Sequence, residues 1–366
     1  MKTADVIIIG GGIAGIGAAA RIAPEASVVI LEMEDAPARH ATGRSAAIYI
    51  RNYGNATLRA LNAASEPVLS EPAGISDSSL LTPRGEMIVA DEAGITSLES
   101  YLDGSDGLER LDASEAIELF PLLRPDWVQA AAFEKAAQDI DVDRLLQGFL
   151  KLARRHGAEL VTNAAVTGIQ RHENLWQIET PAGRFQAPVV VNAAGAWADQ
   201  VAALANVGKV GLSALRRSAA IIAPPAGLAP NHWPLVASAA EDWYIKPDAG
   251  KFMVSPADED PVEPHDAWPD DMVLAEGIYR AEQAVDLQVK RLEHTWAGLR
   301  TFAPDRTPVV GFAPEIEGFL WLAGQGGYGV QTAPALSQLA ADLCLRKSSS
   351  LSPEILTSLH PSRFQG

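Results

Sequence analysis

The sequence predicts an α/β fold in which a largely parallel sheet is assembled from separated segments of the chain, beside a second, α+β domain containing a mixed or antiparallel sheet. Two observations carry this prediction. Short apolar runs without alternation, at residues 6–9, 28–31, 189–192 and 319–323, are typical of parallel strands buried on both faces. Glycine-rich or small-residue turns follow the first, third and fourth of these runs, as they do where a strand leads into a helix.

The remaining elements follow from local patterns. One helix is expected from the first glycine turn to about Ala23, and another over Asp141–His156, where apolar residues recur at helical spacing after an acidic start. Residues 114–120 also indicate a helix. Residues 81–89 and 221–256, which are β-branched or aromatic and interrupted by Pro and Gly, predict antiparallel strands. Residues 332–345 predict the final helix.

Composition limits the class of protein. Of the 366 residues, 48% are hydrophobic, which is enough for a sizeable core and argues against disorder. The net charge of −17 opposes binding of nucleic acid or acidic lipid, and no apolar stretch reaches the roughly 18 residues of a membrane span. Cys344 is the single cysteine, so a reducing, cytoplasmic compartment is expected, with peripheral contact at the inner face of the membrane left open.

The most specific motif is the turn after the first strand. Gly10, Gly12 and Gly15 form a G-x-G-x-x-G pattern, and the next strand ends at Glu32, 22 residues after Gly10. In such a pattern the first glycine permits a tight turn, the second lets the backbone approach a pyrophosphate, and the third allows close packing of helix on strand. The acid accepts hydrogen bonds from a ribose. A glycine turn without a ligand is the weaker interpretation, because strand, spacing and acid occur together.

Two further segments favour FAD over NAD. Residues 40–47 form a small-residue loop with two hydroxyls and Arg44, which suits the middle of a long cofactor. Residues 323–330 form a second glycine-rich turn before a helix. The N-terminus of that helix can stabilise an electron-rich ring, such as the pyrimidine edge of a reduced flavin.

Blocks along nearly the whole chain resemble the FAD-dependent D-amino acid oxidase-like superfamily and, within it, the bacterial D-arginine dehydrogenases, which are broad-specificity D-amino acid dehydrogenases. The blocks are residues 42–47, 81–87, 191–197, 244–250, 294–300 and 325–332. The resemblance implies a discontinuous Rossmann-like FAD-binding domain of residues 1–80, 138–212 and 305–366. It also implies a substrate-binding domain of residues 81–137 and 213–304.

The resemblance further implies the residues that contact FAD. Superfamily members with covalent flavin carry a cysteine shortly after the segment around Arg300, whereas residues 301–305 of this chain contain none, so non-covalent FAD is expected. The seven histidines show no metal-ligand spacing, and no metal site is expected. The implied FAD contacts are Gly10, Gly12, Ile13, Ala14, Gly15, Glu32, Thr42, Gly43, Arg44, Ser45, Ala46, Val166, Ala194, Gly195, Trp197, Arg300, Gly326, Gly327, Tyr328, Gly329, Val330, Gln331 and Thr332.

Substrate contacts are implied in the same way. A carboxylate beside a flavin needs cationic partners, and Arg217 and Arg300 match the carboxylate-binding arginines of the superfamily. Tyr53 and Tyr244 match tyrosines that close over the substrate, and Gln331 is a further contact. The alternatives are a surface ion pair for each arginine and a core position for each tyrosine.

Three residues bear on substrate preference. Glu86 matches a glutamate that faces a basic side chain, and its charge is expected to favour a cationic group. Ile48 and Ile50 stand where the resembling dehydrogenases have a histidine and a threonine. A more apolar pocket is therefore expected, favouring large apolar D-amino acids or a cyclic or N-substituted amine. The alternative is that both isoleucines only pack the loop over the pocket.

The reaction implied by the resemblance is oxidation of the Cα–N bond of a D-amino acid by hydride transfer to FAD. The resulting imino acid hydrolyses to a 2-oxo acid and ammonia. A quinone or an electron-transfer protein is expected as acceptor rather than oxygen. A sarcosine or glycine oxidase-like amine oxidase and a 2-hydroxy-acid dehydrogenase remain open within the same class, and a non-catalytic FAD-carrying subunit remains open from a different class.

Overall fold

A six-stranded sheet forms the centre of the first part of the fold. The structure, a computed structural model, describes residues 1–364. Neighbouring strands of this sheet are parallel, except that the last pair is antiparallel. In spatial order the strands are Glu159–Val161, Val28–Leu31, Val6–Ile9, Val189–Asn192, Phe319–Ala323 and Val309–Phe312. The predicted α/β fold class is confirmed.

The central strands are apolar because both faces of this sheet are covered. Every residue of Val6–Ile9, Val28–Leu31 and Phe319–Ala323 is buried. Helix Ile13–Ile22 packs on one face and is itself covered by helices Val142–Arg155 and Gly329–Cys344. A second apolar cluster covers the other face. The glycine turn after the first strand is thereby fixed at the carboxyl edge of a rigid sheet.

A nine-stranded mixed sheet forms the second part of the fold. Most neighbouring strands are antiparallel, and Leu235–Ser238 runs parallel to Glu86–Ala90. All its strands lie within residues 81–137 and 213–304, whereas the six-stranded sheet uses none of these residues; the domain boundaries themselves stay a prediction. The strands in spatial order are Asp260–Pro261, Ser213–Ile222, Lys251–Ser255, Tyr244–Asp248, Leu235–Ser238, Glu86–Ala90, Ala130–Glu134 and Glu109–Asp112, with His294–Phe302 paired to Ser213–Ile222.

Two small sheets and several further helices complete the described chain. One sheet contains Lys2–Thr3, Gly183–Ala187, Leu175–Thr180 and Gly168–His172, and the other contains Ile48–Tyr49, Gln138–Ile140 and Leu81–Pro83. Within residues 1–364, no helix combines the length and apolar character needed to cross a membrane. The further α-helices are Ala56–Ser70, Ile95–Asp103, Ala113–Leu119, Ala198–Leu204, Asp271–Ala284 and Pro353–Leu359.

The prediction for the C-terminal helix was wrong in two respects: the helix begins earlier than predicted, and it is not the last helix of the chain. The helix spans Gly329–Cys344 rather than residues 332–345, because the amide of Thr332 already donates to the carbonyl of Tyr328 at 3.0 Å. Gly329 is therefore the first helical residue and not part of the turn. Another helix, Pro353–Leu359, follows; Ser352 caps it, with proline at its first position, a local signal that the sequence does contain.

Candidate active site

One cavity of about 430 Å³ brings together most of the residues predicted to bind cofactor and substrate. Its wall combines the carboxyl ends of strands in the six-stranded sheet with side chains from the nine-stranded sheet. The predicted residues on this wall are Gly10, Gly12, Ile13, Ala14, Glu32, Thr42, Arg44, Ser45, Ala46, Val166, Ala194, Gly195, Trp197, Arg217, Tyr244, Arg300, Gly326, Gly327, Gly329 and Val330. The predicted residues off the wall are Gly15, Gly43, Ile48, Ile50, Tyr53, Glu86, Tyr328, Gln331 and Thr332.

The first glycine turn has the geometry that a bound pyrophosphate requires. Gly10 has a φ of +114°, and a Cβ there would lie 2.3 Å from the carbonyl oxygen of Ala193. A Cβ at Gly15 would lie 2.0 Å from the carbonyl oxygen of Gly10, so helix and strand touch. Gly12 lies on the cavity wall and caps the helix without any side-chain hydrogen bond. The amide of Ile13, the first helical residue, donates to Oγ1 of Thr42 at 3.1 Å, so an anionic group would meet the remaining N-terminal amides of the helix.

Glu32 holds this turn in place. Its Oε2 accepts a hydrogen bond from the amide of Gly11 at 2.6 Å, and its Oε1 accepts one from the amide of Glu34 at 2.9 Å. Each carboxylate oxygen has a further acceptor position, so Glu32 can also accept from ribose hydroxyls. The predicted ribose contact stays a prediction.

Arg44 connects the predicted cofactor loop to the nine-stranded sheet. Its Nη1 donates to the carbonyl oxygens of Ala267 at 3.0 Å and Ala297 at 2.8 Å, and its Nη2 pairs with Asp266. Ala297 belongs to strand His294–Phe302, which also carries Arg300. Most of the Arg44 guanidinium is thus engaged by protein groups, and its contact with FAD stays a prediction.

Arg217 and Arg300 reach the cavity from adjacent antiparallel strands. Arg300 pairs with Leu215, and Arg217 lies two residues further along the same strand. Directly paired residues of antiparallel strands share a face, as do residues two apart, so both arginines project from one face of the sheet. Their placement on one cavity wall follows from this register.

The two arginines differ in how many of their guanidinium N–H donors are hydrogen-bonded to protein groups. Arg217 donates through Nε to the carbonyl oxygen of Asp258 at 2.8 Å and through Nη2 to Glu259 at 3.0 Å. Burial, and then the charge of Arg300, lower its pKa. Among residues 1–364, the side chain of Arg300 has one hydrogen-bond partner, the hydroxyl of Tyr53, 3.4 Å from Nη1. Since a guanidinium carries five N–H donors, Arg300 keeps most of its donors for an anionic ligand.

Glycine and aromatic residues shape the surroundings of Arg300. A Cβ at Gly327 would lie 2.9 Å from its Nη1, so only glycine leaves the guanidinium this position. The ring of Tyr53 packs against that of Tyr328, with centroids 4.6 Å apart. Burial, and then Tyr53, raise the pKa of Tyr328 to about 12, so its hydroxyl stays neutral near pH 7. Tyr53 does not line the cavity but contacts Arg300, which does, whereas Tyr244 lines the cavity directly.

The other predicted substrate contacts have protein partners behind the wall. Gln331 is buried and exchanges hydrogen bonds with the backbone of Ile50. Ile50 is also buried, and Ile48 is half-buried in a strand. Glu86 is buried opposite Glu134 of the neighbouring strand. The roles predicted for these residues in substrate selection stay predictions.

Sequence reasoning missed Lys246 and Met253. Lys246 is buried; its Nζ donates to the carbonyl oxygen of Ala46 at 2.7 Å and pairs with Asp139 at 2.9 Å. Met253 lies directly opposite Lys246 and on the cavity wall. The alternation of side chains along the strand from Tyr244 was the signal that would have placed Lys246 beside the site. No group of three or more potential metal ligands occurs within residues 1–364.

Comparison with known proteins gives the family. The sequence profile of the DAO family, described as FAD dependent oxidoreductase, matches residues 5–343. Hydrogen cyanide synthase subunit HcnC of Pseudomonas aeruginosa is 27% identical over 193 residues, which are 52% of this chain and 45% of HcnC. Glycine oxidase of Geobacillus kaustophilus is 27% identical over 258 residues, which are 68% of this chain and 65% of the oxidase. The chain thus matches about half of HcnC and just under two thirds of the oxidase.

Solved structures agree on the fold. The crystal structure of glycine oxidase from Geobacillus kaustophilus has a TM-score of 0.86 at 22% identity, covering 99% of each chain. That of L-proline dehydrogenase from P. horikoshii has a TM-score of 0.85 at 22% identity, covering 100% of this chain and 98% of the other. The cofactor is FAD, which fits the open glycine turn, the acidic strand end and the second helix N-terminus at Gly329. The chain therefore belongs to the DAO family of FAD dependent oxidoreductases.

Proposed function

We propose that this protein oxidises the Cα–N bond of a D-amino acid, with Arg300 and Arg217 binding the substrate carboxylate. The observation that carries the proposal is the state of Arg300. Its half-buried guanidinium lies on the cavity wall with a single hydrogen bond to a residue of the described chain, although donors withdrawn from water normally find partners. A carboxylate satisfies such a donor set in bidentate geometry.

The residues of the chain then act by binding and orientation. Arg300 and Arg217 fix the carboxylate, which fixes the position of the neighbouring Cα. Tyr53 limits the rotation of the Arg300 guanidinium through its hydrogen bond. Bound FAD supplies the acceptor for the hydride that leaves Cα. Loss of a proton from nitrogen completes the imino acid, and water converts it to a 2-oxo acid and ammonia.

The cavity wall supports binding of the substrate with its amine already neutral. Glu32 is the one carboxylate among the described residues of the wall, and both its oxygens accept amide hydrogen bonds at the first turn. His40, the one histidine there, lies 2.8 Å from Glu34. Both groups are hydrogen-bonded to protein groups at the first turn, so the proposal assigns no protein base and takes the substrate to bind with its amine already neutral.

The proposed side-chain preference is for uncharged D-amino acids. Burial, and then the charge of Glu134, raise the pKa of Glu86 to about 8, so its carboxyl is protonated at pH 7 and attracts a cationic side chain only weakly. The D configuration, an acceptor other than oxygen and a cytoplasmic location rest on the sequence resemblance and composition. Non-covalent FAD is supported by Cys344, which is half-buried and lies away from the cavity wall.

Anaerobic bleaching of the flavin tests the proposal. The loaded protein is mixed with D-leucine, D-lysine, L-leucine, L-proline, glycine, sarcosine and a D-2-hydroxy acid, and the flavin absorbance is followed. Bleaching by D-leucine faster than by all the others is expected. Bleaching by sarcosine, glycine or L-proline alone would replace the D-amino acid assignment, and bleaching by the hydroxy acid alone would refute amine oxidation.

The acceptor is tested with the same preparation. Reduced protein is mixed either with air-saturated buffer or with a soluble quinone, and reoxidation is expected to be faster with the quinone. The similarity to HcnC, a subunit of hydrogen cyanide synthase, favours a second candidate, a FAD-carrying subunit without its own turnover. The absence of bleaching by every compound in the panel would support that candidate instead.

A further inference from the structure

The segment from Ile50 to Tyr53 is held by side chains from distant parts of the chain. Asn62, from helix Ala56–Ser70, donates through Nδ2 to the carbonyl oxygens of Ile50, Arg51 and Tyr53 at 3.3, 3.3 and 3.1 Å. Gln331 accepts from the amide of Ile50 at 3.1 Å and donates to its carbonyl oxygen at 3.3 Å. The segment is therefore clamped to the fold.

Glu134 provides the anchor from the nine-stranded sheet. It is 2% exposed, and its Oε1 accepts the amide of Arg51 at 2.7 Å. Its Oε2 accepts the side-chain amide of Asn52 at 2.7 Å and the backbone amide of Asn52 at 3.4 Å. All three contacts use the carboxyl group as an acceptor. Glu134 therefore holds Arg51 and Asn52 through acceptor contacts alone.

The carboxyl of Glu86 lies beside that of Glu134 and holds a proton. The two residues are directly paired across strands Glu86–Ala90 and Ala130–Glu134. The Oε2 of Glu86 is buried and has no hydrogen-bond partner within the described chain. Burial and the charge of Glu134 raise its pKa, against a hydrogen bond from Tyr101 of helix Ile95–Asp103. The unpartnered oxygen of Glu86 thus belongs to the carboxyl next to the one that accepts three hydrogen bonds.

Further charged and titratable groups surround this pair. Arg59, from helix Ala56–Ser70, and Tyr53 act on the same cluster through Tyr101. Arg59 is occupied by the carbonyl oxygens of Gly54 and Gly104 and makes no ion pair with either glutamate. Ionisation of the second carboxyl would therefore place two negative charges side by side without a paired cation.

We propose that Glu134 is a positioning residue that sets Tyr53 against Arg300 by anchoring Arg51 and Asn52. Tyr53 is the next residue in the chain, and its hydroxyl is the single hydrogen-bond partner of the Arg300 guanidinium within residues 1–364. A shift of Arg51 and Asn52 away from Glu134 therefore moves Tyr53 and releases Arg300. The proposal rests on the proposed function in so far as Arg300 binds the substrate carboxylate.

The test compares three glutamate-to-glutamine variants. Glu134→Gln keeps one acceptor oxygen and places an amide N–H against the donors of either Arg51 or Asn52, so it breaks one side of the anchor. Glu66→Gln is the matched control, because Glu66 pairs with the exposed guanidinium of Arg51 at 2.5 Å and not with its backbone. Glu86→Gln imitates the protonated carboxyl. If Glu134→Gln does not fold, Glu134→Asp replaces it in the test, because the shorter side chain keeps a carboxyl group but moves it away from Arg51 and Asn52.

Hydrogen exchange and ligand affinity are measured on FAD-loaded protein. In Glu134→Gln, amide exchange in the peptide spanning residues 50–53 is expected to rise at least about tenfold, because the anchored amides become free to open. The dissociation constant of benzoate, a carboxylate without an amine, and the KM of the best substrate are expected to rise about tenfold or more, with kcat changed less than about twofold. Glu66→Gln is expected to match wild type in exchange, affinity and KM at pH 7, and Glu86→Gln is expected to match wild type in the exchange of residues 50–53.

The pH dependence separates positioning from simple loss of structure. Benzoate stays ionised between pH 6 and about 10, so changes in its affinity report on the protein. Wild-type affinity is expected to weaken above about pH 8, as Glu86 ionises beside Glu134, and Glu86→Gln is expected to remove this loss.

Three results would overturn the proposal. Unchanged amide exchange in Glu134→Gln would show that Glu134 does not anchor Arg51 and Asn52. Increased exchange with unchanged benzoate affinity and KM would show an anchor that does not position Tyr53. If Glu66→Gln changed exchange, benzoate affinity and KM as much as Glu134→Gln does, the effects would come from any disturbance of the segment and not from the Glu134 anchor. Wild-type protein that binds no benzoate and oxidises no amino acid, with exchange still responding to Glu134→Gln, would refute the proposed function and confirm only the anchor.

Discussion

Gly15→Ala is expected to disrupt both the fold and the FAD site, whereas Gly17→Ala, in the same helix, is expected to disturb packing alone. A Cβ at position 15 would lie 2.0 Å from the carbonyl oxygen of Gly10, which is backbone. A Cβ at position 17 would lie 2.1 Å from the hydroxyl of Ser337, which is a side chain. Neither glycine has a left-handed φ, so the two substitutions differ in what the new methyl group meets.

The magnitude follows from the overlap. Ordinary contact begins at about 3.4 Å, so the backbones at Gly10 and Gly15 must separate by about 1.4 Å. Helix Ile13–Ile22 cannot retreat freely, because Val142–Arg155 and Gly329–Cys344 pack against it. Overpacking that side chains can absorb costs about 1–3 kcal/mol, which is our expectation for Gly17→Ala. For Gly15→Ala, where backbone meets backbone, we expect a loss of more than about 3 kcal/mol.

Ser337→Ala provides the matched test of this reasoning. The Ser337 hydroxyl is buried and has no hydrogen-bond partner within the described chain, so its removal alone is expected to be neutral or stabilising. In the double variant Gly17→Ala/Ser337→Ala the new methyl group meets the Cβ of residue 337 at 3.2 Å, a much smaller overlap. A favourable coupling free energy of about 1 kcal/mol or more is expected. Gly15→Ala is expected to gain no such relief.

Urea unfolding followed by circular dichroism, with and without FAD, measures stability, and fluorescence titration measures FAD affinity. Gly17→Ala is expected to bind FAD like wild type. Gly15→Ala is expected to bind it about 100-fold more weakly, since a displacement of about 1 Å suffices for such a loss at a preorganised site. Equal destabilisation by the two substitutions, or recovery of Gly15→Ala by Ser337→Ala, would refute the packing argument.

Three further predictions concern the substrate site and acid stability. Arg300→Ala is expected to retain FAD but to weaken benzoate binding and raise the substrate KM about 100-fold, equivalent to about 2.7 kcal/mol; unchanged kinetics would remove its assigned role. Glu86→Leu is expected to change kcat/KM for D-lysine and D-leucine by the same factor at pH 7, because the carboxyl it replaces is neutral, and a selective loss of D-lysine would contradict this. Burial alone would raise the pKa of Asp305, but a hydrogen bond from Arg363 lowers it below the value in the unfolded chain. The ionised Asp305 therefore stabilises the fold fully above about pH 5, and this stabilisation is lost on acidification. Asp305→Asn is expected to flatten the fall in unfolding free energy between pH 5 and 3, and an unchanged slope would contradict the assignment.

The strands and the glycine turns were predictable because their signals are local. Four apolar residues in a row at Val6–Ile9 and Val28–Leu31 suit only a position covered on both faces, and all eight are buried. The helix start at Gly329 was missed because glycine favours turns on local grounds, whereas here its backbone is helical. Tertiary packing decided the outcome at that position.

The partners of site residues were not predictable, because they depend on contacts between remote parts of the chain. The resemblance identified Gln331 as a ligand contact, but its side-chain amide is bonded in both directions to Ile50, 281 residues earlier. No local pattern in either segment indicates this pairing. It becomes visible only when the helix Gly329–Cys344 packs beside helix Ala56–Ser70.

The ionisation state of Glu86 shows why a residue type alone does not define a specificity site. The sequence shows a glutamate, and a glutamate in water carries a negative charge at pH 7. Antiparallel pairing sets this one opposite Glu134, and burial together with the charge of Glu134 raises its pKa to about 8. The strength with which Glu86 would attract a cationic side chain therefore depends on the residue opposite it in the neighbouring strand. Strand register, which no single residue encodes, thus sets the environment on which the role predicted for Glu86 depends.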